Sequence, residues 1–306
     1  MPDDPAPTRT PLPATSVGSH LGAFGWSEWG LLAGIALIWG SSFLWIDIGL
    51  EAFKPGVIAM ARIALGTATV GLFRRARVPL APEDRRRVAV LGLVWIAIPL
   101  ILFPVAQQWI DSSVAGMLNG GVPILTAAFA AVLLARLPGW RQLLGIGVGF
   151  VGITAIFLPE LRDSTATALG ASLVLIAVVL YALSTNLIVP LQQRYGALPL
   201  LFRAQLAALV VLIPVGLVQI PGSTWAWNSA LAMIPLGLLS TGLAFVLMAT
   251  LVGRTGGPRG SIAIYFVPIV AIALGVIFLD EMVGPLALIG TGLVVLGAWI
   301  TSRPEV

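Results

Sequence analysis

The side chains able to do chemistry are few, and they sit inside apolar stretches. Trp39, Ser41 and Ser42 lie roughly ten residues into an apolar block, about 15 Å along a helix that rises 1.5 Å per residue. The two hydroxyls beside Gly40 can bond a polar ligand, and the Trp39 ring can stack on a flat or cationic one. The same residues also suit tight helix packing. Tyr181 and Asn186 in the run YALSTN, Asn119, and Tyr265 add phenol and amide groups at matching depths. Unpaired in lipid such groups are costly, so each must meet either a substrate or a neighbouring helix. Arg62 follows Pro55 by about two turns, and an arginine at mid-helix costs about 2.5–3.5 kcal/mol on insertion scales. Its charge can pair with Asp47 or Glu51, snorkel outward, or meet an anionic group on a cargo. Pro123 and Pro268 each remove a backbone bond and permit a kink. Asp280 and Glu281, in the turn before the last block, fit a cap on the final helix or a gate.

Much chemistry is excluded. The chain has no cysteine, and its one histidine, His20, lies in a polar N-terminal stretch. Carboxylates fall at the ends of the apolar blocks. Neither a nucleophile–base pair nor a metal cluster can be assembled within the blocks, so no enzyme, metal or cofactor site is expected. No phosphate-cradling glycine motif is present either, so any transport must draw on a gradient, such as protons, or on exchange. The net charge of +4 is spread over loop arginines, which is a topology signal and not a nucleic-acid surface.

Hydrophobic residues make up 58% of the sequence and charged ones 10%. A soluble domain carries about 25% charged residues, so the sequence is built for a lipid bilayer. Apolar blocks occur at 29–49, 55–73, 87–105, 112–135, 140–158, 168–189, 198–219, 229–252, 260–279 and 285–301. Each is long enough to cross about 30 Å of hydrocarbon as a helix, and strands with free edges cannot. The prediction is an all-α membrane protein of ten transmembrane helices behind a disordered cytoplasmic tail over 1–28. Arginines 74, 75, 77, 85, 86, 87, 136, 141, 194, 254, 259 and 303 share one side, facing Lys54 and Arg162 on the other. Both termini are therefore expected in the cytoplasm, with the protein in the inner (plasma) membrane. Arg203, one turn inside the seventh block, is expected to snorkel. Gln107, Gln108 and Asp111, at an outer turn, are expected to be solvated.

Glycines 92, 145, 147 and 152 and Pro123 recur at one constant separation as glycines 237, 290, 292 and 297 and Pro268. This marks an internal duplication, with units at 29–158 and 168–301. Five crossings per unit make the second enter from the opposite side, an inverted repeat of the kind that supports alternating access at a mid-depth site.

These stretches carry a resemblance. GLLSTGLAFVL (237–247), RTGGPRGSIAIYFVPIVAIALGVIFLDE (254–281) and PLALIGTGLVVLGAW (285–299) resemble the C-terminal part of an EamA domain of the drug/metabolite transporter superfamily. IALIWGSSFLWI (35–46) and AGMLNGGVPILTAAFA (115–130) resemble its other copy. The resemblance implies a transporter, usually an exporter of amino acids, other metabolites or drugs. The acidic residue usual after the fourth helix of a half stands at Glu281, whereas the first half has Arg136. The membrane-embedded glutamate of small multidrug carriers is missing from the first block, which holds Asp47 near its outer end. With Trp39, Trp95, Tyr181 and Tyr265 near serine and asparagine, the expected cargo is a small amphipathic zwitterion such as an amino acid. Multidrug efflux is the alternative, and a passive channel would need a continuous polar stripe that the sequence lacks.

Overall fold

The computed structural model describes residues 25–134 and 140–302. Most of the predicted tail and the turn holding Arg136 lie outside the described residues, which form helices and no strand. The helices are α1 (Trp26–Leu50), α2 (Pro55–Gly71), α3 (Pro82–Ala106), α4 (Ser112–Leu133), α5 (Trp140–Asp163), α6 (Thr165–Tyr195), α7 (Ala197–Gly222), α8 (Trp227–Thr255), α9 (Gly257–Phe278) and α10 (Pro285–Ser302). Seven of them are long and apolar enough to cross a membrane; α2, α5 and α10 carry the shorter apolar stretches Pro55–Gly71, Leu143–Pro159 and Pro285–Gly297.

Two boundaries differ from the sequence expectation. α1 begins at Trp26, inside the predicted tail. α6 outruns its apolar block at both ends, because Ser164 Oγ accepts the Thr167 amide as an N-cap and Gly196 stops the helix. Gly196 has φ +80°, and Gly256, between α8 and α9, has φ +82°. Each turns one helix directly into the next with a backbone that a side chain would oppose.

Large apolar side chains such as Leu72, Val132, Val210, Val218 and Phe278 point outward, as a lipid-facing surface requires. Exposed tryptophans mark both ends: Trp26, Trp29, Trp140 and Trp299 at the end holding the chain termini, Trp109, Trp225 and Trp227 at the opposite end. Indoles prefer these two interfacial depths.

Inside, α5 packs on α10, α2 on α7, and α4 on α9. α1 lies against α8 and α9, and α6 against α3 and α4. Small residues set these distances. A Cβ on Gly152 would lie 2.6 Å from the Gly290 carbonyl oxygen, and one on Gly297 would lie 2.5 Å from that of Gly145, so α5 and α10 cross backbone to backbone. The related glycines 147 and 292 face open space. Two helices leave the regular ladder: α3 winds as a π-helix over Gly92–Ala97 and α8 over Pro235–Leu243.

Candidate functional site

The π-turn of α8 anchors side chains that reach the site from other helices. A wider turn takes carbonyls off the i to i−4 ladder and frees them for side chains. Here the Ser240 carbonyl accepts the Trp39 indole N–H at 3.0 Å, and the Thr241 carbonyl accepts Gln205 Nε2 at 2.7 Å. Thr241 Oγ1 donates to the Leu236 carbonyl at 2.9 Å and accepts Arg62 Nε at 3.1 Å. One irregular stretch thus fixes a tryptophan from α1, a glutamine from α7 and an arginine from α2.

Of these groups Trp39 and Arg62 line a cavity of ≈ 30 Å³, room for about one water. Trp39, Ser42, Phe43 and Ile46 of α1, Arg62 of α2, Trp95 and Phe103 of α3, and Asn119 of α4 line it. Tyr181 and Thr185 of α6, Met248 of α8 and Ile264 of α9 complete the wall. The rings form a connected girdle. Trp39 and Tyr181 are nearly parallel at 6.5 Å between centroids, Tyr181 and Phe103 at 5.9 Å, and Phe245 sits edge-on to both Trp39 and Trp95. Such offset and edge contacts hold rings rigidly. Pro123 and Pro268 lack the N–H owed to the carbonyls four residues back. Those carbonyls belong to Asn119 and Ile264, and both residues are on the cavity wall.

The structure therefore brings together Trp39, Ser42, Arg62, Asn119 and Tyr181 of the residues singled out in the sequence. It places three elsewhere. Ser41 turns back on its own helix, donating to the Ile38 carbonyl at 3.0 Å. Asn186 is fully buried, with Nδ2 donating to the Thr126 carbonyl of α4 at 3.0 Å and the Ala182 carbonyl at 3.1 Å. The first of these bonds ties α6 to α4. Tyr265 is buried and is not among the residues lining the cavity. Phe103 and Met248 were not foreseen, because apolar side chains in apolar blocks give no signal of which way they face. Thr185 was passed over although it is polar, and its hydroxyl donates to the Tyr181 carbonyl of its own helix at 2.7 Å.

Arg62 is only 3% exposed, so it does not snorkel. Among the described residues it forms no ion pair, with Asp47, Glu51 or any other carboxylate. Arg203 does reach back to the terminal end, where its Nη2 donates to the Arg77 carbonyl at 3.1 Å. Gln107 is buried, not solvated, and donates to the Phe43 carbonyl at 3.0 Å.

Both ends of the bundle are tied. At the terminal end, buried Asp84 of α3 accepts Arg194 Nη1 and the Tyr195 hydroxyl of α6, each at 2.7 Å, while Arg194 Nη2 reaches Glu83 at 3.1 Å. Glu28 and Arg254 pair at 3.5 Å between α1 and α8. At the opposite end, Glu281 does not cap α10. Its Oε1 accepts the Ser112 amide at 2.8 Å and its Oε2 the Ser113 amide at 2.9 Å, so it caps α4. A carboxylate suits the free amides and positive dipole of a helix start. The neighbouring Asp111 carboxyl is raised above its ordinary range by burial and then by the Glu281 charge. Among the described residues no three His, Cys, Asp or Glu side chains are grouped to hold a metal ion.

A helical bundle with apolar outward-facing sides, tied ends and an enclosed polar-and-aromatic cavity is that of a multi-pass membrane protein. The sequence profile of the EamA-like transporter family matches this chain twice, over residues 27–158 and 168–303, and the chain belongs to that family. It is 26% identical over 282 residues to the probable terminal-alkyne amino-acid exporter of Streptantibioticus cattleyicolor, covering 90% of this chain and 93% of that one. It is 29% identical over 300 residues to the threonine/homoserine exporter RhtA of Escherichia coli K12, covering 90% and 92%. A solved structure titled "Crystal structure of protein" superposes with TM-score 0.67 at 18% identity, covering 90% of this chain and 97% of that one. That likeness concerns the fold alone.

Proposed function

We propose that the protein is a secondary exporter of small metabolites, amino acids foremost, working by alternating access at the central cavity. The reading rests most on one observation: the cavity wall is drawn from both matched segments. Trp39, Arg62 and Asn119 come from the first, Tyr181, Met248 and Ile264 from the second. Inverted five-helix repeats would account for the reciprocal packing of α1 on α8 and α9 and of α6 on α3 and α4. They would also account for the wall pairs Phe103 with Met248 and Asn119 with Ile264, which share the spacing of the repeated glycines. The basic loops favour a cytoplasmic terminal end. The Asp84–Arg194 cluster then ties the inner end and Glu281 the outer, and opening one at a time admits cargo to a cavity closed on the other side. The relatives named as amino-acid exporters point to the same cargo class.

The test is reconstitution into proteoliposomes with a panel of radiolabelled amino acids, with and without an imposed pH gradient. Saturable, cargo-selective flux supports the reading, and stimulation by the gradient assigns proton coupling. Flux of hydrophobic dyes without amino-acid flux makes the protein a multidrug carrier. Non-saturating flux of every solute makes it a channel.

A further inference from the structure

We propose that Arg62 is the carboxylate receptor of the central cavity, so that a free carboxylate is the group by which cargo is accepted. This rests on the reading that the cavity is the transport site. Arg62 is 3% exposed and lines the cavity. Among the described residues its one hydrogen bond goes from Nε to Thr241 Oγ1 at 3.1 Å. That bond uses the side of the guanidinium facing the α8 π-turn and leaves both terminal nitrogens without a partner among the described residues. A guanidinium cannot shed its proton inside a protein, and its fork of parallel N–H groups matches a carboxylate with two bonds. No Asp or Glu lines the cavity, so the protein offers the charge no counter-ion there. A bound carboxylate supplies it.

The rest of the wall gives the carboxylate an orientation. Asn119 Oδ1 is buried and has no partner among the described residues, which suits it to accept from a cargo ammonium. The parallel faces of Trp39 and Tyr181 offer the same cation a π surface. Once opening to one side has widened the cavity, which in this structure has room for about one water, the cargo lies with its acid toward α2 and its amine toward α4 and the rings. A cationic amine without an acid would meet the arginine charge uncompensated, and an ester would leave it unpaired. Both should be excluded, which sets this site apart from one that accepts hydrophobic cations.

Proteoliposomes holding the full chain and loaded with labelled L-threonine or L-homoserine test this by competition. The unlabelled competitors are L-threonine, its methyl ester, and 1-amino-2-propanol, which is threonine without the carboxylate. The wild-type protein should accept the acid at least about tenfold better than either analogue, as a site built to bond a polar group rejects cargo lacking it. Arg62→Lys should keep the preference with a raised KM, because a point charge replaces the fork. Arg62→Gln should lose the preference, with acid flux reduced at least about tenfold. Thr241→Val, which removes the Nε anchor and leaves the charge, should raise KM with little change in maximal rate. Equal competition by the ester, or an Arg62→Gln protein that still prefers the acid, overturns the inference while leaving the exporter reading in place. A wild-type protein that moves no amino acid removes both. The wild-type competition series needs no variant to fold.

Discussion

Gly152→Val is expected to remove the folded protein from the membrane. The reason is the crossing of α5 and α10. A Cβ at Gly152 would sit 2.6 Å from the Gly290 carbonyl oxygen and 2.7 Å from the Val294 amide nitrogen. Both obstacles are backbone, so no rotamer change relieves them, and the two helices must separate. Overpacking costs about 1–3 kcal/mol where side chains can adjust, and here they cannot, so the upper end or beyond applies. Helices in lipid are held by close packing and not by a hydrophobic drive, so separation forfeits the contact outright. Gly147→Val is the matched control. It lies on the same helix, belongs to the same repeated glycine pattern, and has nothing within 4 Å of its Cβ position. Fluorescence-detected size exclusion of detergent extracts should show a monodisperse peak for Gly147→Val and an aggregated or absent one for Gly152→Val. Equal peaks would mean that α5 and α10 do not meet at these glycines.

Glu281→Gln is expected to release the outer end. The carboxylate takes the Ser112 and Ser113 amides together, and bonds to charged groups contribute about 1.5–3 kcal/mol each. The amide isostere keeps the shape but loses the charge and one acceptor, a cost of about 1.5 kcal/mol, or roughly a tenfold shift in a two-state balance. Gly275→Ala offers an independent route. Its Cβ would fall on Glu281 Oε2, the movable end of a side chain, so the carboxylate is displaced and the helix is not. The sequence has no cysteine, so Ile46→Cys, on the cavity wall toward this end of α1, reports opening without background. Membrane-impermeant maleimide added outside should label it roughly tenfold faster in both variants. Asp280→Asn, at an exposed position, should leave the rate unchanged. If neither variant changes it, Glu281 is a helix cap and nothing more.

The helical class was legible because lipid imposes a length and a composition on a spanning segment, and seven of the helices meet both. Trp39, Ser42, Arg62, Asn119 and Tyr181 were legible as wall residues because polar or amphipathic groups at mid-helix need a reason to be there. What Arg62 bonds was not. Its anchor, Thr241, faces it through a π-turn, and the apolar run around Pro235 does not announce that turn. Glu281 was misjudged because the amides it caps belong to Ser112 and Ser113, far away in the chain. Its own helix neighbour looked the nearer client. Asp84 and Arg194 went unread for the same reason, since the basic loop hid one carboxylate among its arginines. Asn186 was read by its chemistry, as a cargo contact or an interhelical bond, and the chain alone does not say that its amide reaches the Thr126 carbonyl of α4.

The central claim is that one cavity faces each side of the membrane in turn. Ser42→Cys tests it most directly, because Ser42 lines the cavity and would carry the chain's single thiol. With impermeant maleimide applied to one face at a time, in right-side-out and inside-out vesicles, the account predicts labelling from both faces and protection from both by transported amino acid. Labelling confined to one face, or untouched by cargo, would contradict it.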